Sequence, residues 1–175
     1  ATKFQVTRDD QDKFSLESQK KAFQAQKDNK FKEEIINFKI KSKKTETVFN
    51  KDEHPREGVN LEALRRLKPV FKKDGTVTAG NASGINDGAA ALTLMSSEEA
   101  EKREMQKLVS IKSWTSCGVD PALMGTGPIP SSKKALDLAG WSINDVDLFE
   151  INEAFAAQSI AVIRTLSIPE EKVNV

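Results

Sequence analysis

The sequence predicts an α/β protein with buried strands and sheets covered by helices. Three observations carry that expectation. From Gly75 onward, apolar runs alternate with amphipathic runs in the order β-α-β-α-β, the pattern of a sheet with helices packed on it. The composition changes at the same point, from charge-rich and irregular to Ala, Gly and aliphatic residues. The run AFAAQSIAVIRTL from Ala154 is apolar almost all the way round, as a helix inside a core must be.

The elements follow in order. In TRDDQDKFSLESQKKAFQAQ, Thr7 as N-cap with Asp10 three residues on starts a helix whose inner face carries Phe14, Ser18, Ala22 and Ala25. Glu33–Lys41 reads as a strand, because Ile36, Phe38 and Ile40 alternate. TETVFNKDEHPREG reads as a loop, and LEALRRLKPVF as a short helix that Pro69 ends or distorts. Ala89–Met95 reads as a buried strand, and Ser96 to Glu99 as a capping box for a helix to about Gln106. Leu108–Gly118 is another strand candidate, and VDPALMGTGPIP a Gly/Pro loop. SSKKALDLAG is an amphipathic helix with Gly140 as its C-cap. Val146–Ile151 reads as a short buried strand before NEAFAAQ, and the terminal KVNV as the start of another. With no Met at its start and no cap at its end, the chain reads as a piece of something larger.

Composition narrows the function. Lys and Arg number 27 against 26 Asp and Glu, so charge offers no argument for nucleic acid or an anionic membrane. No apolar run is long enough to span a bilayer. With a single Cys no intrachain disulfide forms, and with a single His as well no Cys/His zinc site is expected. No other metal site is expected either.

Several stretches admit both a structural and a chemical reading. Asn152 reads as an N-cap for the following helix, yet its amide can also aim donors at a ligand where a strand ends and a helix begins. TAGNASG, Thr78–Gly84, is a tight turn or a place where a ligand or a second backbone approaches closely, and its spacing is neither a Walker loop nor a dinucleotide fingerprint. Met124 in MGTGPIP belongs to a rigid loop or lines an acyl tunnel. Cys117 reads as a small buried residue rather than a nucleophile, since His54 is far from it in sequence. Arg56 and the LEALRRLK cluster are a solvated face or a phosphate site.

Taken together, GTVTAGNASGINDGAAAL, GVDPALMGTGPIP, DLFEINEAFAAQ and DEHPREGVNLEALRRLKPVF resemble the thiolase family over nearly the whole chain and in the family's order. NASGINDGA is most similar to its acetyl-CoA acetyltransferase branch. The resemblance implies a partial thiolase-like fold, with mixed sheets, covering helices and an irregular α+β loop domain. It implies residues 1–84 as the loop domain that covers CoA, 85–106 as the end of the N-terminal core domain and 107–175 as the first half of the C-terminal one. It implies Claisen condensation of two acetyl-CoA to acetoacetyl-CoA, and the reverse thiolysis. In that chemistry a Cys thiolate takes up the acyl group, and a second Cys removes a proton from acetyl-CoA, whose carbon then attacks.

Residue by residue, the resemblance implies that Asn152 holds a water of the oxyanion hole and that Phe155 walls the pocket. Ser83 contacts the pantetheine arm, which Ala79 and Ala82 let lie close. Arg56 sits near the CoA nucleotide, and Met124 lines the acyl end. Ala63 stands where many relatives carry Ser. Coenzyme A and acetyl-CoA enter as substrates with no covalently bound cofactor, and the intact protein is expected to be a homo-oligomer, a dimer or tetramer. The expected compartment is the cytoplasm, or the mitochondrion if an upstream targeting peptide was removed. The family's nucleophilic Cys, its Gly-His-Pro histidine and its acid/base Cys have no counterpart in these residues, so the chain alone is expected to be inactive. A non-catalytic CoA or acyl-lipid binding module is the rival reading. A truncated remnant that self-associates through open strand edges is another.

Overall fold

A computed structural model describes all 175 residues. They form two compact units: residues 1–83 with 148–175, and residues 84–147.

The first unit is built on helix α1, Arg8–Lys27. Thr7 and Asp10 make the expected reciprocal capping box. The inner face differs from the expected one in chemistry. Phe14, Ser18, Ala22 and Ala25 are half-buried, while Gln11, Asp12 and Ser15 are the buried residues. Asp12 is fully buried, and Arg8 Nε donates to both its carboxylate oxygens at 3.0 and 2.8 Å. The Arg8 guanidinium also reaches the carbonyls of Leu64 and Leu67, at 2.7 and 3.0 Å, and so holds the end of helix α2, Leu61–Arg65. A buried charge is tolerated only when paired in this way.

The strand expected at Glu33–Lys41 forms only over its last part, β1 (Phe38–Lys41). The segment expected as a loop supplies its partner, β2 (Glu46–Phe49), in an antiparallel hairpin that sets Phe38 opposite Phe49. The alternation in TETVF is itself a strand signal, and Ser42 N–H donating to Thr45 O at 2.8 Å closes the turn.

Helices α3 (Ser97–Lys102) and α4 (Pro128–Ala139) belong to the second unit. Ser96 caps α3, but only half of the expected box forms, because the Glu99 carboxylate turns to Arg103. The helix stops at Lys102 instead of Gln106, and Glu104 takes a left-handed backbone just beyond it. The expected Gly/Pro loop is largely helical: Pro121–Thr126 is a 3-10 turn, and Pro128 opens α4. Proline suits a first helical position, where no N–H is needed. Gly140 ends α4 with a φ of 69°, as expected.

The strands expected at 89–95 and 108–118 do not form. Leu92, Leu94, Leu108 and Val109 lie open to solvent. Apolar pattern alone does not make a strand, which exists only through the neighbour it bonds. Residues 108–118 are instead tied to α4 by hydroxyls, Ser113 to Ala135 O and Thr115 to Ser131 O, at 2.7 and 2.8 Å.

The last helix, α5 (Ala156–Leu166), returns to the first unit and packs on α1. Ala156, Ala157 and Ile160 close a core with Val6, Phe4 and Phe14. The strand expected at Val146–Ile151 is reduced to one parallel bridge, Phe149 with Val173, and is half-exposed, not buried. No helix is long and apolar enough to cross a membrane.

Two predictions follow from α1. Asp12→Ala strands Arg8 and should lower the stability of the first unit by about 3 kcal/mol, read from amide exchange in α1; a loss under about 1 kcal/mol would contradict the assigned role. The second concerns acid. Bonds from the Thr7 backbone N–H and hydroxyl, and then Arg164, hold the Asp10 carboxyl down to about 2 from an ordinary 3.8. A depressed acid stabilises the fold above its unfolded value, and that contribution disappears as pH falls through its folded value. Since 30% of its side chain stays in water, Asp10→Asn should cost about 1 kcal/mol at pH 6. The gap to wild type should close between about pH 4 and pH 2, and a pH-independent gap would contradict the assignment.

Candidate functional site

The turn Thr78–Gly84 is tied from within and from α1. Thr78 N–H donates to Asn81 Oδ1 at 2.8 Å, and Gly80 N–H to Thr78 Oγ1 at 3.1 Å. Asn81 Nδ2 then donates to Asp12 Oδ1 at 3.0 Å and to Thr76 O at 3.1 Å. Thr78 and Asn81 are both buried. Gly80 packs closely on Leu64 of α2 and Leu67 just beyond it: a Cβ there would stand 2.6 Å from a methyl of each, so both side chains would have to shift.

Residues 81–83 lie antiparallel to 154–156. Ala82 bridges Phe155, Ser83 N–H donates to Ala154 O, and Ala156 N–H donates to Asn81 O, both at 3.0 Å. This pairing corrects the N-cap reading of Asn152. Because residues 154–156 are spent on strand-like bonds, the helix begins at Ala156, and its N-cap is Phe155 with an extended backbone and no side-chain cap bond. Asn152 is exposed, four residues before the helix.

Its neighbour Glu153 is half-buried and held by two donors, Ser18 Oγ at 2.5 Å and Asn174 Nδ2 at 2.7 Å. Asn174 also grips Ile151 twice, accepting from its N–H at 2.8 Å and donating to its carbonyl at 2.9 Å. The half-buried carboxylate is thus partnered, as its partial desolvation requires.

A cleft of about 550 Å³ opens where these parts meet. Ala82 and Ser83 line it from the turn, Asn152 and Glu153 from the strand-like segment, Ser18 from α1 and His54 from the loop after the hairpin. Ser83, Ala82 and Asn152 are therefore brought together. Other expected site residues are not on its lining. Ala79 is exposed beside it. Arg56 is exposed, its backbone N–H fixed by Gln19 Oε1 at 3.0 Å, while His54 two residues earlier faces the cleft. Phe155 meets Phe71 edge to face, with ring centres 6.1 Å apart. Met124 lies 68% exposed in the second unit, which also holds half-buried Cys117.

Sequence reasoning missed Asp12, Asn81, Ser18 and Asn174. Asp12 stands four residues after Arg8 on a helix, the spacing of an ion pair, so that half of the network had a signal. The bonds that join Asn81 to Asp12, Ser18 to Glu153 and Asn174 to residues 151 and 153 link residues distant in sequence and had none.

The thiolase N-terminal domain family matches residues 1–98, and the thiolase C-terminal domain family matches residues 105–175. The chain belongs to the thiolase family. It is 54% identical to an acetyl-CoA acetyltransferase of Paracoccus denitrificans over 175 residues, all of this chain and 45% of that protein. The crystal structure of the Bacillus anthracis acetyl-CoA acetyltransferase superposes with a TM-score of 0.93 at 48% identity, over 99% of this chain and 44% of that one. Human mitochondrial 3-ketoacyl-CoA thiolase in complex with CoA superposes with a TM-score of 0.90 at 43% identity, over 100% of this chain and 43% of that one. The chain thus spans less than half the length of these relatives, and its fold is a partial thiolase-like one.

Proposed function

We propose that this chain is the central segment of an acetyl-CoA acetyltransferase that condenses two acetyl-CoA to acetoacetyl-CoA and runs the reverse thiolysis. The observation that carries the reading is the pairing of residues 81–83 with 154–156, which sets Ser83 and Asn152 on one cleft. Asn152 keeps its amide free of helix capping, so its N–H groups are available to hold a water against the thioester oxygen. Fixed donors aimed at developing negative charge supply much of such catalysis.

In this reading Ser83 contacts the pantetheine arm, and Ala79 and Ala82 leave it room. Arg56 reaches the nucleotide end, Phe155 backs the pocket, and Met124 serves the acyl end. Residues 1–84 act as the CoA-covering loop domain, 85–106 as the end of the N-terminal core domain and 107–175 as the first half of the C-terminal one. CoA and its acetyl and acetoacetyl thioesters are the partners, and the intact protein is a homo-oligomer, a dimer or tetramer. The proposed compartment is the cytoplasm, with the mitochondrion as the alternative where a targeting peptide precedes the segment. One Cys and one His in these residues do not amount to two reacting cysteines with a histidine, so the 175 residues by themselves do not turn over.

The test is a hybrid enzyme in which these residues replace the matching stretch of the 54% identical bacterial acetyltransferase. The hybrid should cleave acetoacetyl-CoA. Asn152→Ala should lower its kcat about 100- to 1000-fold with KM for CoA little changed. An unchanged kcat, or thiolysis by the isolated chain at an intact mass of 19.3 kDa that Cys117→Ala abolishes, would overturn the reading.

A further inference from the structure

Asn174 holds a position that the proposed chemistry does not by itself explain. Its backbone is left-handed, with a φ of 47°. Asn and Gly tolerate that conformation best among the residues. Glycine would satisfy the backbone but not the side chain's work, which is three hydrogen bonds to one short segment. Oδ1 accepts from Ile151 N–H, and Nδ2 donates to Ile151 O and to the Glu153 carboxylate. Those two residues flank Asn152 on either side.

We propose that Asn174 is a positioning residue for Asn152, clamping residues 151 and 153 so that the amide between them is presented in one orientation to the cleft. The inference rests on the catalytic reading of Asn152. The clamp is needed because Asn152 receives little support from regular structure. It lies outside any helix, and the pairing with the turn begins only at Ala154. Exposed and unbraced, its amide would sample several orientations, and displacements of about an ångström at a reacting centre cost on the order of 100-fold in rate. Asn174 removes that freedom by standing in for a neighbouring strand: its amide presents one acceptor and one donor to a single residue, as a paired backbone would.

The clamp is itself anchored. Asn174 N–H donates to Phe149 O at 2.9 Å, Phe149 N–H to Lys172 O at 2.8 Å, and Lys21 Nζ of α1 to Val173 O at 2.7 Å. Ser18, one turn earlier on α1, takes the other oxygen of Glu153. Helix α1 therefore steadies both the clamp and the segment it holds.

The hybrid enzyme separates positioning from general stability. Asn174→Ala should lower kcat for acetoacetyl-CoA thiolysis about 10- to 100-fold with KM for CoA unchanged. In the Asn152→Ala background the same change should have almost no further effect, because two residues acting through one amide are not additive. Ser18→Ala, a substitution that favours the helix, should give a smaller kcat loss with the same non-additivity, and it tests the idea if Asn174→Ala fails to fold. In the 175-residue chain, Asn174→Ala should speed exchange of the Ile151 amide while α5 amides stay protected. Losses that add fully to that of Asn152→Ala, or that raise KM as much as they lower kcat, would overturn the inference. If Asn152→Ala itself leaves kcat intact, the catalytic reading falls and this inference falls with it. A loss at Asn152 with none at Asn174 and none at Ser18 removes the inference alone.

Discussion

The carboxylate of Asp12 is the point on which the first unit turns. It is fully buried, and Arg8 and Asn81 take its oxygens. A charge left in that position without partners would be strongly destabilising, so the fold is bound to bring all three together. Doing so fixes three elements. Arg8 carries α1 to the end of α2, Asn81 carries α1 to the small-residue turn, and the turn then bonds residues 154–156. The start of α5 and the cleft beside it are consequences of that chain of contacts.

The same constraint explains why polar residues sit between segments that are otherwise apolar. Strand-like pairing uses the backbone of residues 154–156, which delays the helix to Ala156 and leaves Asn152 exposed before it. Glu153 can remain half-buried only because a hydroxyl and an amide partner it. A helix that began earlier would have spent Asn152 on capping. The late start leaves its amide uncommitted to capping, on the lining of the cleft.

Several elements fixed by neighbours within a few positions are legible in the sequence, whereas pairings with distant partners are not. The Thr7 cap, the Gly140 cap and the apolar α5 each depend on residues within a few positions of one another, and each forms. Residues 89–95 and 108–118 have strand-like composition but pair with no strand, so both remain irregular, the first exposed and the second half-buried only at Ser113, Thr115 and Cys117. The hairpin is only half legible, because the Pro and Gly that follow its second strand give the whole stretch the composition of a loop. At the site, resemblance named Ser83 and Asn152, while the residues that hold their segments, Asp12, Asn81 and Asn174, act across long sequence separations that periodicity does not register. Asn152 was also read as a cap, because helix-start statistics do not anticipate a competing backbone pairing.

The proposed seat of the CoA thioester is the cleft joining the turn to residues 152–156. Titrating the isotopically labelled chain with CoA and following its backbone amides by NMR tests this most directly. Shifts centred on Gly80–Ser83 and Asn152–Ala156 are the predicted result. Shifts confined to the neighbouring hollow between α1 and α5, around Ile163, Arg164 and Glu170, with residues 80–83 unmoved, would contradict it.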